Sequence, residues 1–63
     1  MSTSADPLER ASELLTQLEA ARARLEETED HDAAVDLLAE ITELAKEAHA
    51  EIERARREAD AQP

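Results

Sequence analysis

The second half of the chain carries apolar residues at intervals of four and three, without interruption, from residue 34 to residue 59. The series is Ala34, Leu38, Ile41, Ala45, Ala48, Ile52, Ala55 and Ala59. A heptad repeat of this kind lines one side of an α-helix and does not fit a β-strand, whose side chains alternate with a period of two. The repeat therefore predicts a helix over residues 33–60 that packs along this seam, with Leu37 and Leu44 beside it.

A shorter helix is predicted over residues 7–28. Asp6 and Pro7 mark its start, because aspartate caps a helix N-terminus and proline fits the first helical position. Its apolar residues are again three or four positions apart, except where Arg22 interrupts the series between Leu18 and Leu25, and two more residues widen the stripe on one side. The series is Leu8, Ala11, Leu15, Leu18 and Leu25, widened by Leu14 and Ala21.

The stretch between the two helices, residues 26–32, holds five acids in seven positions and no large apolar side chain. We expect a turn over residues 29–32, and a turn this short forces two helices to run antiparallel. The predicted fold class is all-α, an antiparallel two-helix hairpin over residues 6–60. Residues 1–5 are small and polar and are predicted to form a disordered tail, and residues 61–63 a frayed end.

The apolar stripe of the hairpin is three positions wide, which is broader than a two-helix seam needs. The chain has no aromatic residue, and 14 of its 63 residues are alanine, so a single hairpin has little side-chain volume for a core. We therefore predict that the hairpin completes a four-helix bundle by dimerisation. The expected interface residues are Leu14, Leu15, Leu18, Leu25, Leu37, Leu38, Ile41, Leu44, Ala45, Ala48 and Ile52.

Composition excludes several classes of function. Without glycine or cysteine, the chain cannot form a glycine-rich phosphate loop, a disulfide or a cysteine zinc site. A formal net charge of −10 argues against direct binding of nucleic acid, which depends on Lys and Arg. No apolar run approaches the ~20 residues that span a bilayer, so we expect a cytoplasmic protein that does not bind membranes.

The chemistry-bearing side chains are sparse. His31 lies between two aspartates, and His49 precedes Glu53 by one helical turn. Either histidine could contribute to a weak metal site, but a solvated turn and ordinary boundary packing are far commoner at such positions. We therefore predict no metal, no cofactor, no catalytic residue and no enzymatic activity for the chain by itself.

One basic cluster lies near the C-terminal end and consists of Arg54, Arg56 and Arg57. It could contact an acidic partner or nucleic acid. The simpler interpretation is ion pairing along the helix, because Glu51 lies three residues before Arg54 and Glu53 lies four before Arg57.

Several short motifs resemble the exonuclease VII small subunit family. Leu18-Glu19 and Leu25-Glu26 match the end of that family's first helix, and residues 32–35 match the start of its second. Leu38, Leu44-Ala45-Lys46, Ile52 and Ala55 fall at its second-helix apolar positions. The chain departs from the family in the turn, where residues 28–31 contain no glycine.

The resemblance implies a cytoplasmic, non-catalytic accessory subunit, without a cofactor, that binds a larger nuclease subunit acting on single-stranded DNA. Two other interpretations stay open. The hairpin could be a self-associating structural module without any link to a nuclease, or an acidic segment that folds only on a partner. In each case the expected partner is protein, either a second copy of the chain or a larger catalytic subunit.

Overall fold

The computed structural model describes residues 6–61, which form two α-helices, and no β-strand occurs in that range. Helix α1 is Pro7–Glu27 and helix α2 is His31–Ala61. The two helices pack against each other, which confirms the predicted all-α helical hairpin. The predicted tail and the last two residues of the predicted frayed end lie outside the described residues, whereas Ala61 is the last residue of α2.

Helix α1 begins as its sequence predicts. Asp6 has an extended backbone, and its carboxylate accepts hydrogen bonds from the backbone N–H of Leu8 at 3.1 Å and of Glu9 at 3.5 Å. These are donors that the first turn of a helix cannot satisfy internally. Pro7 occupies the first turn, where its missing N–H costs nothing.

The connection between the helices is shorter than predicted. Helix α1 ends at Glu27, and α2 begins two residues earlier than expected, at His31. Thr28 has an extended backbone, its N–H donates to the carbonyl of Leu25 at 3.2 Å, and its hydroxyl donates to the carbonyl of Arg24 at 2.6 Å. No residue in the range 6–61 has a positive φ. The threonine thus closes the helix without the left-handed glycine that often does so.

The core of the hairpin is small and draws equally on both helices. Its central cluster consists of Leu14 and Ala21 from α1 and Leu44 and Ala48 from α2, and Ala11 and Leu37 are buried as well. Leu18 and Ile41 pack against this cluster and are partly buried. Each helix contributes one leucine and one alanine to the space between α1 and α2. Because the alanine side chains are small, the leucines fit beside them while the two helix backbones stay close.

About half of the residues predicted to line the seam between the helices are exposed. In each of these cases the residue immediately before it in the sequence lies on the side that faces the other helix. Ala11, Ile41 and Ala48 face the partner helix as predicted. The other half of the seam, however, consists of Leu14, Ala21, Leu37 and Leu44, whereas Leu15, Leu38, Ala45 and Ile52 are exposed.

The reason for the shift lies at residue 22. In α1, the predicted positions seven residues apart are Leu8, Leu15 and Arg22, and burying them would bury a guanidinium group. The neighbouring positions 7, 14 and 21 are apolar throughout, and all three are buried. The helix therefore faces its partner with the stripe that carries no charge.

Helix α2 extends beyond the described start of α1. At 1.5 Å per residue, the 21 residues of α1 span about 31 Å and the 31 residues of α2 about 46 Å. Helix α1 ends and helix α2 begins at the same connection, and Ile52 and Leu8 line the same groove near the other end of α1. The last nine residues of α2 therefore project past Pro7.

Candidate functional site

One side of the hairpin exposes a row of large apolar side chains from both helices. We call it the apolar face and define it by Leu8, Leu15, Leu38, Ala45 and Ile52. Leu8 is 63% exposed, Leu38 52%, Leu15 47% and Ile52 39%. Within each helix these residues are seven positions apart, so each set lines one side of its helix. The predicted apolar stripe consists of three parallel columns of side chains, and these residues form the column that the hairpin leaves exposed.

A groove shows that the two helices contribute to the same side. It has a volume of about 400 Å³ and is lined by Leu8, Ala11, Ser12, Leu15, Thr16, Glu19 and Ile52. Because Ile52 of α2 and Leu8 of α1 line it together, the two exposed columns lie next to each other. The hydroxyl of Thr16 donates to the carbonyl of Ser12 at 3.1 Å, so this hydroxyl already has a partner within its own helix.

On α2 the apolar face belongs to a longer surface that carries no carboxylate. We call it the acid-free strip. Its members recur at steps of three and four and are all exposed: Val35, Leu38, Thr42, Ala45, His49, Ile52, Arg56 and Ala59. None of the nine acids of α2 belongs to this series, although the carboxylate of Glu53 pairs with Arg56 of the strip at 3.4 Å. In a chain of net charge −10, this helix therefore concentrates its negative charge away from one surface.

The only hydroxyl group on the acid-free strip is also satisfied. Thr42 donates from its Oγ1 to the carbonyl of Leu38 at 2.9 Å. A polar group that already has a hydrogen-bond partner can be covered by another molecule at little cost, whereas an unsatisfied one cannot. The hydroxyl of Thr42 therefore does not oppose burial of the central part of the strip.

The opposite side of the hairpin is polar. Arg10 and Glu47 form an ion pair between the two helices, with 3.8 Å between the guanidinium and the carboxylate. Gln17 and Arg24 follow Arg10 at intervals of seven, and Glu40 precedes Glu47 by seven, so they lie on the same side of their helices. We call these five residues the charged face.

The apolar face becomes charged as it approaches the connection. Arg22, which continues the column of Leu8 and Leu15, is held by Glu19 at 3.2 Å and by Glu26 at 2.7 Å. The hydrogen bond that Arg22 donates to Glu19, together with the negative charges of Glu19 and Glu26, raises the pKa of Arg22. The arginine is therefore a permanent cation that ends the apolar surface of α1 on the side of the connection.

The two ends of the hairpin differ in charge. Residues 26–36, around the connection, contain six acids and no Lys or Arg, and we call them the acidic turn. The projecting end of α2 carries Arg54, Arg56 and Arg57, which we call the basic end. Arg54 pairs with Glu51 at 3.2 Å, as predicted. Glu53, however, pairs with Arg56 at 3.4 Å rather than with Arg57, so the spacing is three residues instead of four.

The predicted interface residues fall into three groups. Leu14, Leu37, Leu44 and Ala48 are buried inside the hairpin. Leu18, Leu25 and Ile41 are half-buried, and Leu15, Leu38, Ala45 and Ile52 are exposed. The last group is the most accessible to a partner without a rearrangement of the hairpin.

Two exposed apolar residues were missing from the predicted interface. They are Leu8 and Val35, which are both more than half exposed. The sequence held a signal for each. Leu8 lies seven residues before Leu15, and Val35 lies three residues before Leu38, so both share a helix side with residues that were predicted.

Both histidines lie on the surface of the hairpin. His31 is exposed in the first turn of α2, and His49 is exposed on the acid-free strip. Among residues 6–61, no three side chains of the types His, Cys, Asp or Glu come together to hold an ion. Neither α1 nor α2 has an apolar stretch of the length and hydropathy that crossing a bilayer requires.

Comparison with known proteins gave no relative. No family model matches the chain, and neither the curated proteins nor the solved structures include a match.

Proposed function

We propose that this chain is a non-catalytic interaction protein, a helical hairpin that works by packing its apolar face against helices of a protein partner. The observation that carries the proposal is the placement of Leu8, Leu15, Leu38 and Ile52, all exposed, along one side of a folded hairpin. Contiguous exposed apolar patches of this kind commonly mark interaction sites in soluble proteins.

One form of this function is that of an accessory subunit. The resemblance of residues 8–59 to the exonuclease VII small subunit suggests a larger nuclease subunit as the partner. In that assembly the hairpin contributes packing surface, and the catalytic groups come from the larger subunit. The net charge of −10 leaves contact with the DNA phosphates to that subunit as well.

The second candidate is self-association, in which two hairpins pack face to face as a four-helix bundle. The acid-free strip of α2 favours it. A strongly acidic chain repels its own copy, and the strip offers a surface along which two copies can approach without carboxylates in the contact.

A pair of matched variants tests the interaction function. Ala45→Glu adds a carboxylate at the centre of the apolar face, whereas Ala50→Glu adds the same group at an exposed position of the same helix outside the acid-free strip. We expect Ala45→Glu to abolish binding to the partner and Ala50→Glu to retain it, because burying an unpaired charge is costly.

The measurement has two parts. Sedimentation of the purified chain reports self-association, and affinity purification from the native cells reports a stoichiometric larger subunit. If Ala45→Glu behaves like Ala50→Glu in both measurements, the apolar face is not an interaction surface and the proposed function is wrong.

A further inference from the structure

We propose that a second copy of this chain packs on the apolar face, with the two hairpins running in opposite directions. The basic end of each α2 then lies beside the acidic turn of the other copy. This inference rests on the self-associating form of the proposed function. It specifies the partner, the surface and the relative orientation of the two hairpins.

The first argument is the area of the face. The hairpin is a single layer with extents of 51 × 21 × 13 Å, so one broad side of both helices is open to a partner. Over the length of α1, the open side measures about 31 by 21 Å, or about 650 Å² per copy. Stable protein interfaces start at about 600 Å² on each partner. A second hairpin laid over this side therefore reaches the lower limit of that size range.

The second argument is the distribution of charge along the hairpin. The acidic turn carries six carboxylates and no base, whereas residues 53–61 at the other end carry three arginines and three acids and are neutral overall. When two copies run in opposite directions, each acidic turn meets this neutral, arginine-bearing end. When they run in the same direction, the two acidic turns lie side by side and repel each other.

The third argument is the spacing of apolar side chains around Ala45. Leu38 lies seven residues before it and Ile52 seven residues after it. If the two-fold axis passes near Ala45, Leu38 of one copy packs on Ile52 of the other, and Ala45 faces its own counterpart. The small alanine side chains let the two helices come close at the axis.

The same register brings the charged ends together. Arg56 lies eleven residues after Ala45, so it reaches the level of Ala34 in the other copy, eleven residues before its Ala45. Asp30, Asp32 and Asp36 all lie within four residues of Ala34. At ordinary ionic strength, charges within about 8–10 Å of each other still interact.

The orientation is tested by reversing charge at one end of the hairpin. The double variant Glu29→Arg with Asp32→Arg makes the turn less acidic, and its control, Glu40→Arg with Glu43→Arg, changes the net charge equally in the middle of α2. We expect the turn variant to dimerise about tenfold more weakly than its control, because each basic end then meets arginines. Adding Arg56→Glu and Arg57→Glu to the turn variant is expected to restore the affinity.

Sedimentation equilibrium at low and high salt measures the dissociation constants, and circular dichroism checks that each variant is folded. If the two hairpins run in the same direction, both effects on the dissociation constant are reversed. The turn variant then dimerises more tightly than its control, and adding Arg56→Glu and Arg57→Glu weakens the dimer. That result overturns the orientation but leaves the proposed function intact. If the wild-type chain stays monomeric at all concentrations, the second copy is not the partner. The interaction function is then still tested separately, by whether Ala45→Glu loses a larger partner in affinity purification.

Discussion

The two broad sides of the hairpin differ in how much they depend on another molecule. On the charged face, Arg10 of α1 reaches Glu47 of α2, and the remaining polar side chains are solvated. On the apolar face, Leu8, Leu15 and Leu38 are exposed to solvent, where apolar surface is unfavourable. One side is complete within a single chain, and the other gains stability only when it is covered.

The two sides differ because the apolar stripe of each helix is one position wider than the contact between two helices can bury. A pair of helices buries two neighbouring columns of side chains, and both helices here carry three. The hairpin takes the column that contains Leu14 and Ala21 into its core and leaves the column of Leu8 and Leu15 outside. The same pattern thus supplies both the fold and the candidate interaction surface.

The largest effect is expected from a charge in the column of Ile41 and Ala48, which lies between the charged face and the apolar face. Ile41→Asp places a carboxylate against the core cluster that contains Leu14 and Leu44, and we expect it to cost about 3–5 kcal/mol of stability and to abolish helicity. Circular dichroism during thermal unfolding measures the loss. Unchanged melting would mean that Ile41 does not face the other helix.

A pair of neighbouring leucines distinguishes the core from the apolar face. Leu14 is 1% exposed, and we expect Leu14→Ala to lower the free energy of unfolding by about 2–5 kcal/mol through lost burial and the cavity left behind. Leu15→Ala is the matched control and should cost far less in the dilute, monomeric chain. Chemical denaturation at low protein concentration measures both. Equal losses would show that the helix is rotated from the position described above.

The ion pair on the charged face is expected to contribute little. Arg10 and Glu47 are both about half exposed, and exposed pairs contribute at most about 1 kcal/mol. We expect Arg10→Gln to lower the melting temperature slightly, and the difference from the wild type to disappear at high salt because ions screen the pair. A large loss that persists at high salt would mean that this side of the hairpin depends on Arg10 for packing.

The smallest effect is expected at His49 on the acid-free strip. His49→Ala removes an exposed imidazole and introduces a better helix former, so stability should change by less than about 1 kcal/mol. Thermal melting and sedimentation of the variant are the measurements. A strong loss of function, together with a change in the response to added divalent metal, would contradict this and indicate that His49 binds a ligand.

The sequence predicted the elements of the fold but not the rotation of each helix. Heptad spacing and the Asp6 cap were sufficient for the two helices, and Ile41 and Ala48 belong to the column that both the predicted and the observed seams share. The second column is decided by tertiary packing, because apolar residues flank the shared column on both sides. Arg22 was the informative residue, since a guanidinium in the seam would lose its hydration.

The candidate site was predicted only in part for the same reason. A pattern three positions wide indicates that some apolar side chains stay outside a two-helix core, but it does not say which. Leu15, Leu38, Ala45 and Ile52 were in the predicted interface, together with residues that the hairpin buries for itself. The acid-free strip emerges only when α2 is divided into inner and outer sides.

The short connection between the helices bears on how this protein can change over generations. Thr28 ends α1 with an ordinary extended backbone, and no residue from 6 to 61 requires the left-handed conformation that favours glycine. Substitutions at Glu29 therefore carry little conformational penalty. Mutation can adjust the charge of this loop almost independently of the fold, so the electrostatic potential at this end can change while the hairpin stays the same.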